Sequence, residues 1–121
     1  MRVELVKEFC FESAHRLPMV PPDHKCFRMH GHSYRVEVCV AGEVDPALGW
    51  LVDFGEIAAR VEPVLKRELD HRVLNDVAGL ENPTSEVLAH WLWQRLGPLV
   101  PHLAAITVHE TCTARCTYRG E

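Results

Sequence analysis

The stretch from Cys26 to Val40, CFRMHGHSYRVEVCV, contains a thiol, two histidines and a clean strand pattern. From Ser33 onward apolar and polar residues alternate, which is typical of a strand with one buried face. His30 and His32 stand at the entrance of this strand, and their i, i+2 spacing places both imidazoles on one side of an extended backbone. Histidine is the commonest metal ligand, so the stretch predicts part of a metal site with a thiol nearby.

An earlier strand is predicted over residues 2–14, where apolar and aromatic residues alternate with charged ones. The alternation slips near Val6-Lys7, which predicts a bulge there. A loop must follow this strand, because three prolines fall within residues 18–22 and remove backbone donors. We expect this strand and the one after Ser33 to be antiparallel neighbours.

A third metal ligand is expected at His15, which stands at the end of the first strand. Antiparallel pairing brings His15 close to His30 and His32 at the start of the second strand. Three neutral imidazoles with an open fourth position are typical of a catalytic zinc site. His24 is a competing third ligand, but it lies in the proline-rich loop. The alternative is that these histidines only bond to backbone groups.

The rest of the chain predicts two helices and two more strands, so the order is β-β-α-α-β-β. We expect an α+β fold in which both helices pack on one face of an antiparallel sheet. The first helix is capped by Asp53 and ends near Leu69, with a kink or a late start at Pro63. A loop follows over residues 72–83, and a second helix is capped by Thr84 or Ser85 and stopped by Gly97-Pro98. The two further strands span Ala104–Thr111 and Cys116–Arg119.

Length and composition predict one domain over residues 1–121. The net charge is −4 and there is no basic run, which argues against nucleic acid. Neither a signal peptide nor an apolar stretch of about 20 residues is present, so we expect no membrane association. The number of cysteines is five, which is odd and favours a reducing cytoplasm.

The five cysteines have different expected roles. Cys10 and Cys39 fall inside strands and are predicted to lie in or near the core. Cys112 and Cys116 could bind a metal or form a disulfide, but no second cysteine pair completes a tetrahedral site, so a packing role is favoured. Cys26 lies in a loop among cationic residues and near the predicted metal, a setting that favours the thiolate. Its role as ligand, base or nucleophile stays open.

Two further segments contain candidate catalytic or binding residues. Asp70-His71 places a carboxylate beside an imidazole at a helix end, which is typical of a proton relay and also of an ordinary surface pair. Glu110 falls inside the predicted strand over 104–111. If Glu110 is buried it needs cations or a ligand rich in hydrogen-bond donors, whereas a solvent-facing edge position needs neither.

Taken together, the motifs resemble the 6-pyruvoyltetrahydropterin synthase family nearly end to end. Within that family the three-residue gap between Cys26 and His30 resembles the carboxy-type enzymes of queuosine biosynthesis, because the pyruvoyl type generally has a longer gap. The matching segments are FESAHRL (11–17), CFRMHGH (26–32), GEVDP (42–46), LDH (69–71), LND (74–76), ENPTSE (81–86) and ETCTA (110–114).

The resemblance implies a zinc-dependent lyase with the tunnelling fold, in which three subunits close a barrel and two trimers stack into a homohexamer with sites between subunits. It implies conversion of 7,8-dihydroneopterin triphosphate to 6-carboxy-5,6,7,8-tetrahydropterin, acetaldehyde and triphosphate. The implied residue roles are zinc ligands at His15, His30 and His32; catalysis by Cys26, Asp70 and His71; and pterin binding by Glu110 and Thr111.

Two positions differ from the pattern of the family. Phe27 stands where a small residue commonly follows the cysteine, and Arg115 stands where glycine is common. Neither removes an expected functional side chain, although Phe27 could narrow the pocket. Two other functions stay open, namely a pyruvoyl-forming enzyme on the same scaffold and a non-catalytic metal-binding or assembly module.

Overall fold

Two long antiparallel strands organise the fold in the computed structural model, which describes residues 1–121. β1 spans Arg2–His15 and β2 spans His30–Glu43. They pair along their whole length, so His15 lies opposite His30. The predicted bulge near Val6-Lys7 is wrong, because this register is continuous and Val6 simply lies on the exposed face of β1.

The other elements complete a five-stranded sheet with the order β3-β1-β2-β4-β5. β3 is parallel to β1, and every other pairing is antiparallel. The additional elements are α1 Phe54–Glu68, β3 Arg72–Val73, α2 Ser85–Leu96, β4 Leu103–His109 and β5 Arg115–Tyr118, with 3-10 turns at Lys25–Phe27 and Leu74–Asp76.

The expectation of an unbroken loop over residues 72–83 is wrong at its start, where β3 and a 3-10 turn form. A strand of two residues is too short to produce a hydrophobic period, so it could not be predicted from periodicity. It is attached to β1 by Ser13, whose single hydroxyl proton lies between the carbonyl oxygens of Leu69 and Arg72, at Oγ distances of 2.7 and 2.8 Å. This contact fixes the chain on both sides of Asp70-His71.

Both helices pack on the same face of the sheet, which confirms the predicted α+β architecture. Asp53 and Thr84 cap the helices by accepting from Gly55 and Val87 backbone N–H groups. α1 packs against β1, and α2 packs against β4 and β5. Pro63 lies inside α1, which begins at Phe54, so Pro63 does not mark a late start. The buried hydrophobic side chains of the two long strands on this face are Phe9, Phe11, Tyr34, Val36, Val38 and Val40.

All five cysteines are free thiols. Cys10 is exposed rather than near the core, because its neighbours Phe9 and Phe11 take the buried face of β1 and leave Cys10 on the other. Cys39 is half-buried, and Cys116 packs at the margin of the core. Neither α-helix is long and apolar enough to cross a membrane.

Candidate active site

The imidazoles of His15, His30 and His32 converge where β1 ends and β2 begins. Their potential ligand nitrogens all lie within 4.8 Å of one another. The strand register explains the cluster, because His15 faces His30 directly and His32 follows on the same face of β2. The structure therefore brings together the three histidines that the sequence singled out.

Backbone carbonyls orient two of these rings. The Nδ1–H of His15 donates to the carbonyl of Pro83 at 2.8 Å, and the Nδ1–H of His30 donates to the carbonyl of Arg28 at 2.7 Å. A carbonyl only accepts, so each Nδ1 carries the proton and each Nε2 keeps a free lone pair. Metal-binding histidines are commonly held in this way by a partner on the other ring nitrogen.

Two of the ring nitrogens have no partner in the protein. His15 Nε2 and His32 Nε2 are buried and form no hydrogen bond. Burial lowers the pKa of both histidines, which favours the neutral imidazole that metals require. Leaving buried polar nitrogens unsatisfied is costly, and a zinc ion would satisfy them. The residues present therefore fit the metal that the resemblance implies.

Tyr34 and Asn75 support the cluster, and neither was singled out from the sequence. The Tyr34 hydroxyl lies 3.1 Å from His15 Nδ1, and its ring stacks on Phe11. Burial raises the pKa of Tyr34, so it remains a phenol. The Asn75 amide accepts from the N–H of Arg16 at 3.0 Å and donates to its carbonyl at 2.9 Å, which fixes the residue directly after His15.

Cys26 lies in the 3-10 turn, where the chain returns to the end of β1. Its N–H donates to His24 Nδ1 at 3.0 Å, and its carbonyl accepts from the N–H of Leu17 at 2.8 Å. His24 therefore caps the cysteine turn and is not part of the histidine cluster. The next residue, Phe27, has its ring 4.9 Å from the Arg16 guanidinium carbon, a cation–π contact that stiffens the loop.

One cavity of about 370 Å³ is lined by Cys26 and by most of the expected binding residues. Its lining residues are Lys25, Cys26, His30, His32, Glu110 and Thr111. The cavity combines a nucleophilic sulfur, a metal-ligating pair and a carboxylate. Such a combination is typical of an enzyme active site rather than of a structural metal centre.

Glu110 lies just after β4 rather than inside it, which corrects the predicted strand end at Thr111. It starts the turn to β5, and its N–H donates to the Ala114 carbonyl at 3.3 Å. Its Oε1 lies 3.6 Å from His15 Nε2 and 4.0 Å from His32 Nε2. The side chain is 29% exposed, so it is neither a buried strand residue nor a free surface group.

Asp70 and His71 form a contact pair at the end of α1. Asp70 Oδ2 lies 3.0 Å from His71 Nδ1, and Asp70 Oδ1 accepts from the N–H of Glu12 at 2.9 Å. The His71 N–H donates to the Glu12 carbonyl, and His71 adopts a φ of 57°. A non-glycine residue in this left-handed region indicates that the surrounding contacts fix the turn.

Within one chain, His71 and Cys26 line different cavities. The His71 side chain is 79% exposed and borders a cavity of about 560 Å³ beside β1 and β3. That cavity and the one beside Cys26 share only His32. A single chain thus assembles the thiol, the histidine cluster and Glu110, but it does not place the Asp70-His71 pair in the same cavity.

Asp70 is expected to contribute to stability in a pH-dependent way. The Glu12 N–H, followed by the hydrogen bond with His71, lowers the pKa of Asp70 below its ordinary value of 3.8. A lowered folded-state pKa stabilises the fold above the unfolded-state value, and this stability is lost as pH falls through the folded-state pKa. In urea unfolding, the stability gap between the wild type and Asp70→Asn should therefore shrink from about pH 5 to about pH 2.

Asp76→Asn is the matched control for this experiment, because Asp76 lies in the neighbouring 3-10 turn and His71 forms its ion pair with Asp70 and not with Asp76. A gap between the wild type and Asp70→Asn that stays constant across the acid range would contradict the proposed contribution of Asp70.

Comparisons with known proteins agree with this geometry. A family model described as 6-pyruvoyl tetrahydropterin synthase matches residues 4–121. A Synechocystis protein named 6-carboxy-5,6,7,8-tetrahydropterin synthase is 43% identical over 119 residues, 94% of this chain and 91% of the relative. A Pyrococcus furiosus protein named dihydroneopterin monophosphate aldolase is 33% identical over 84% of this chain and 81% of the relative. The structure of Caenorhabditis elegans 6-pyruvoyl tetrahydropterin synthase matches with a TM-score of 0.91 and 29% identity, covering 100% of this chain and 97% of that one.

Proposed function

Because the chain belongs to the 6-pyruvoyl tetrahydropterin synthase family, we propose that it is a zinc-dependent lyase of queuosine biosynthesis. It converts 7,8-dihydroneopterin triphosphate to 6-carboxy-5,6,7,8-tetrahydropterin, acetaldehyde and triphosphate. The observation that carries the proposal is the cavity in which Cys26 lies beside His30, His32 and Glu110. The name of the Synechocystis relative supports the carboxy product over the pyruvoyl product.

His15, His30 and His32 would hold the zinc. When bound, zinc supplies Lewis-acid polarisation of oxygens on the substrate side chain. The carbonyls of Pro83 and Arg28 keep the required ring nitrogens free, so the chain prepares its ligands before the metal arrives. These carbonyl contacts also reduce the rearrangement that metal binding requires.

Cys26 is proposed to move a carbon-bound proton of the substrate side chain. The hydrogen bonds with His24 and Leu17 fix the backbone of this residue, which lines the cavity. Fixing a base against its substrate in this way removes entropy from the barrier. Glu110 and Thr111 would accept hydrogen bonds from the amino-pyrimidine edge of the pterin, which sets the side chain against Cys26.

Asp70 and His71 are proposed as the second proton-transfer group. The carboxylate of Asp70 accepts from His71 Nδ1–H, which leaves His71 Nε2 available to give or take a proton. His71 is exposed, so Nε2 is free to reach a substrate held by another copy of the chain. This arrangement makes Asp70 a positioning residue for His71.

The proposed assembly is a homohexamer of two trimers with active sites between subunits. The separation of Cys26 and His71 in one chain supports it, because both belong to one proposed reaction. Mixing equal amounts of Cys26→Ala and His71→Ala subunits should restore about a quarter of wild-type activity. Each shared site takes Cys26 from one subunit and His71 from another, and in a random mixture about half of the subunits supply each intact group. Verified subunit exchange without any gain in activity would contradict shared sites.

The free thiols of the cysteines support a proposal about the cell compartment in which the enzyme works. Cys26 must stay reduced to act, and all five cysteines are free. Disulfides are rare in the reducing cytoplasm, and we propose that the enzyme works there.

The direct test of the function is to identify the pterin product by mass spectrometry. Zinc-loaded protein is incubated with 7,8-dihydroneopterin triphosphate, and 6-carboxytetrahydropterin is the expected product. The similarity to a 6-pyruvoyl tetrahydropterin synthase makes the pyruvoyl product the second candidate. Accumulation of 6-pyruvoyltetrahydropterin as the sole product would refute the carboxy assignment.

A further inference from the structure

The loop over residues 16–29 joins β1 to β2 and contains Cys26. Beyond those two strands, its hydrogen bonds to the rest of the protein all go to Asn75, whose amide bonds to both backbone groups of Arg16 at 3.0 and 2.9 Å. Its other hydrogen bonds stay inside the loop or reach His30 at the start of β2. Much of the loop is exposed, including residues 21–25, so burial contributes little to holding it.

The orientation of the Asn75 amide follows from the groups to which it bonds. An N–H only donates and a carbonyl only accepts, so Oδ1 faces the Arg16 N–H and Nδ2 faces the Arg16 carbonyl. Nδ2 also lies 3.4 Å from the Glu81 carbonyl. Asn75 follows Leu74, which is fully buried in the same 3-10 turn, so the amide is attached to a firmly packed part of the chain.

The contact with Arg16 reaches the thiol through one further hydrogen bond. The next residue, Leu17, donates its N–H to the Cys26 carbonyl at 2.8 Å. The Arg16 guanidinium carbon lies 4.9 Å from the ring centre of Phe27, the residue after Cys26. Two successive residues therefore connect Asn75 to the turn that contains the thiol.

We propose that Asn75 is a positioning residue for the thiol, and that it holds the Cys26 loop against the cavity through Arg16 and Leu17. The inference rests on the proposed function for the part that Cys26 plays in the reaction. Asn75 does not line that cavity, so it acts on the substrate only through the loop. Because a misplacement of about 1 Å can cost about 10²-fold in rate, a released loop slows the proton transfer rather than substrate binding.

The test compares two substitutions of Asn75 with a matched control. Asn75→Ala removes both bonds to Arg16, whereas Asn75→Asp keeps the size and one acceptor but loses the donor. Asn82→Ala is the control, because the backbone carbonyl of Asn82 and not its side chain is hydrogen-bonded, to the N–H of Thr84. Hydrogen exchange of the zinc-loaded, substrate-free protein reports opening of residues 16–29. Steady-state assays of the pterin product give kcat and KM, and metal analysis gives zinc per chain.

We expect the amides of the loop to exchange about tenfold faster in both Asn75 variants, while the helices and Asn82→Ala match the wild type. The value of kcat should fall about 10- to 100-fold with KM nearly unchanged. Zinc should stay at about one per chain, because the three histidines lie in β1 and β2 and not in the loop.

Three results would overturn the positioning role. The first is wild-type kcat in both Asn75 variants, whether or not the loop exchanges faster. The second is exchange that rises equally in the helices and the loop, which would show general destabilisation. The third is loss of bound zinc together with kcat, which would place the effect at the metal.

A double substitution tests whether Asn75 acts through the thiol. Once the sulfur is gone, a residue that works only through Cys26 has nothing left to position. Asn75→Ala should therefore add little to the loss of kcat in Cys26→Ala. Losses that multiply in the double variant would overturn the route through Cys26.

The exchange measurement involves no turnover, so it separates this inference from the proposed function. If the product is pyruvoyl, the proposed function fails while the effect of Asn75 on the loop stands. If the product is carboxy and loop exchange does not depend on Asn75, the opposite holds.

Discussion

Replacing Cys26 with alanine is expected to lower kcat by about 10²- to 10⁴-fold while zinc remains bound, because a positioned acid or base contributes that much. Cys26 lines the same cavity as His30 and His32, but the cluster of three histidines does not include it. The backbone contacts of Cys26 with His24 and Leu17 do not involve its side chain, so the loop should keep its shape. The measurement is a steady-state assay of pterin product together with metal analysis of the same sample.

Cys10→Ala is the matched control for this substitution. Cys10 is also a free thiol, but it lies exposed on the face of β1 that points away from the histidine cluster. We expect Cys10→Ala to keep wild-type turnover. Wild-type turnover by zinc-bound Cys26→Ala would contradict the catalytic role of the thiol.

Replacing His32 with alanine is expected to remove most of the bound zinc and, with it, the activity. Even groups outside the ligand set are worth about 10- to 100-fold in metal affinity, so loss of a ligand should cost at least about 100-fold. His32 is the best of the three histidines to test, because its ring makes no hydrogen bond in the protein. His15 is fully buried and bonded to Pro83, so its removal would also disturb the fold. The readouts are zinc per chain, chelator competition and thermal unfolding.

His24→Ala is the control that separates a ligand from a nearby histidine. The Nδ1 of His24 already accepts from the Cys26 N–H, and its ring is outside the cluster. The His24→Ala variant should therefore retain about one zinc per chain, like the wild type. Loss of zinc from His24→Ala with full retention in His32→Ala would show that the ligand set is wrong.

The histidine cluster was predictable because it follows from strand parity. Alternation in β2 put His30 and His32 on one face, and antiparallel pairing with β1 supplied His15. The helix caps at Asp53 and Thr84 were predictable for a similar reason, since a capping side chain acts on backbone groups only a few residues away. The histidine cluster depends on local pattern and one strand pairing, and the helix caps depend on local pattern alone.

The supporting contacts could not be predicted, because they join backbone groups far apart in the chain. The backbone carbonyl of Pro83 accepts a hydrogen bond from His15, 68 residues away in the chain. Any residue has a backbone carbonyl, so the identity of Pro83 does not predict this contact. Asn75 binds the backbone of Arg16 across 59 residues in the same way. The mispredicted bulge near Val6-Lys7 has a different cause, since a valine was tolerated on the exposed face of β1.

The position of Glu110 was the most consequential detail that pattern alone did not provide. The sequence placed it inside a strand, where a carboxylate would be either buried and paired or at an edge. β4 ends at His109, two residues before the predicted end at Thr111, so Glu110 lies in the turn and points towards the imidazoles. This difference of two residues in the strand end decides which groups the carboxylate contacts.

The most direct test of the proposed reaction is the ratio of acetaldehyde to triphosphate released from 7,8-dihydroneopterin triphosphate by the zinc-loaded enzyme. Both carboxy-type and pyruvoyl-type reactions release triphosphate, but only carbon–carbon cleavage releases acetaldehyde. We predict equal amounts of the two products throughout the reaction. Triphosphate released without acetaldehyde would contradict the account.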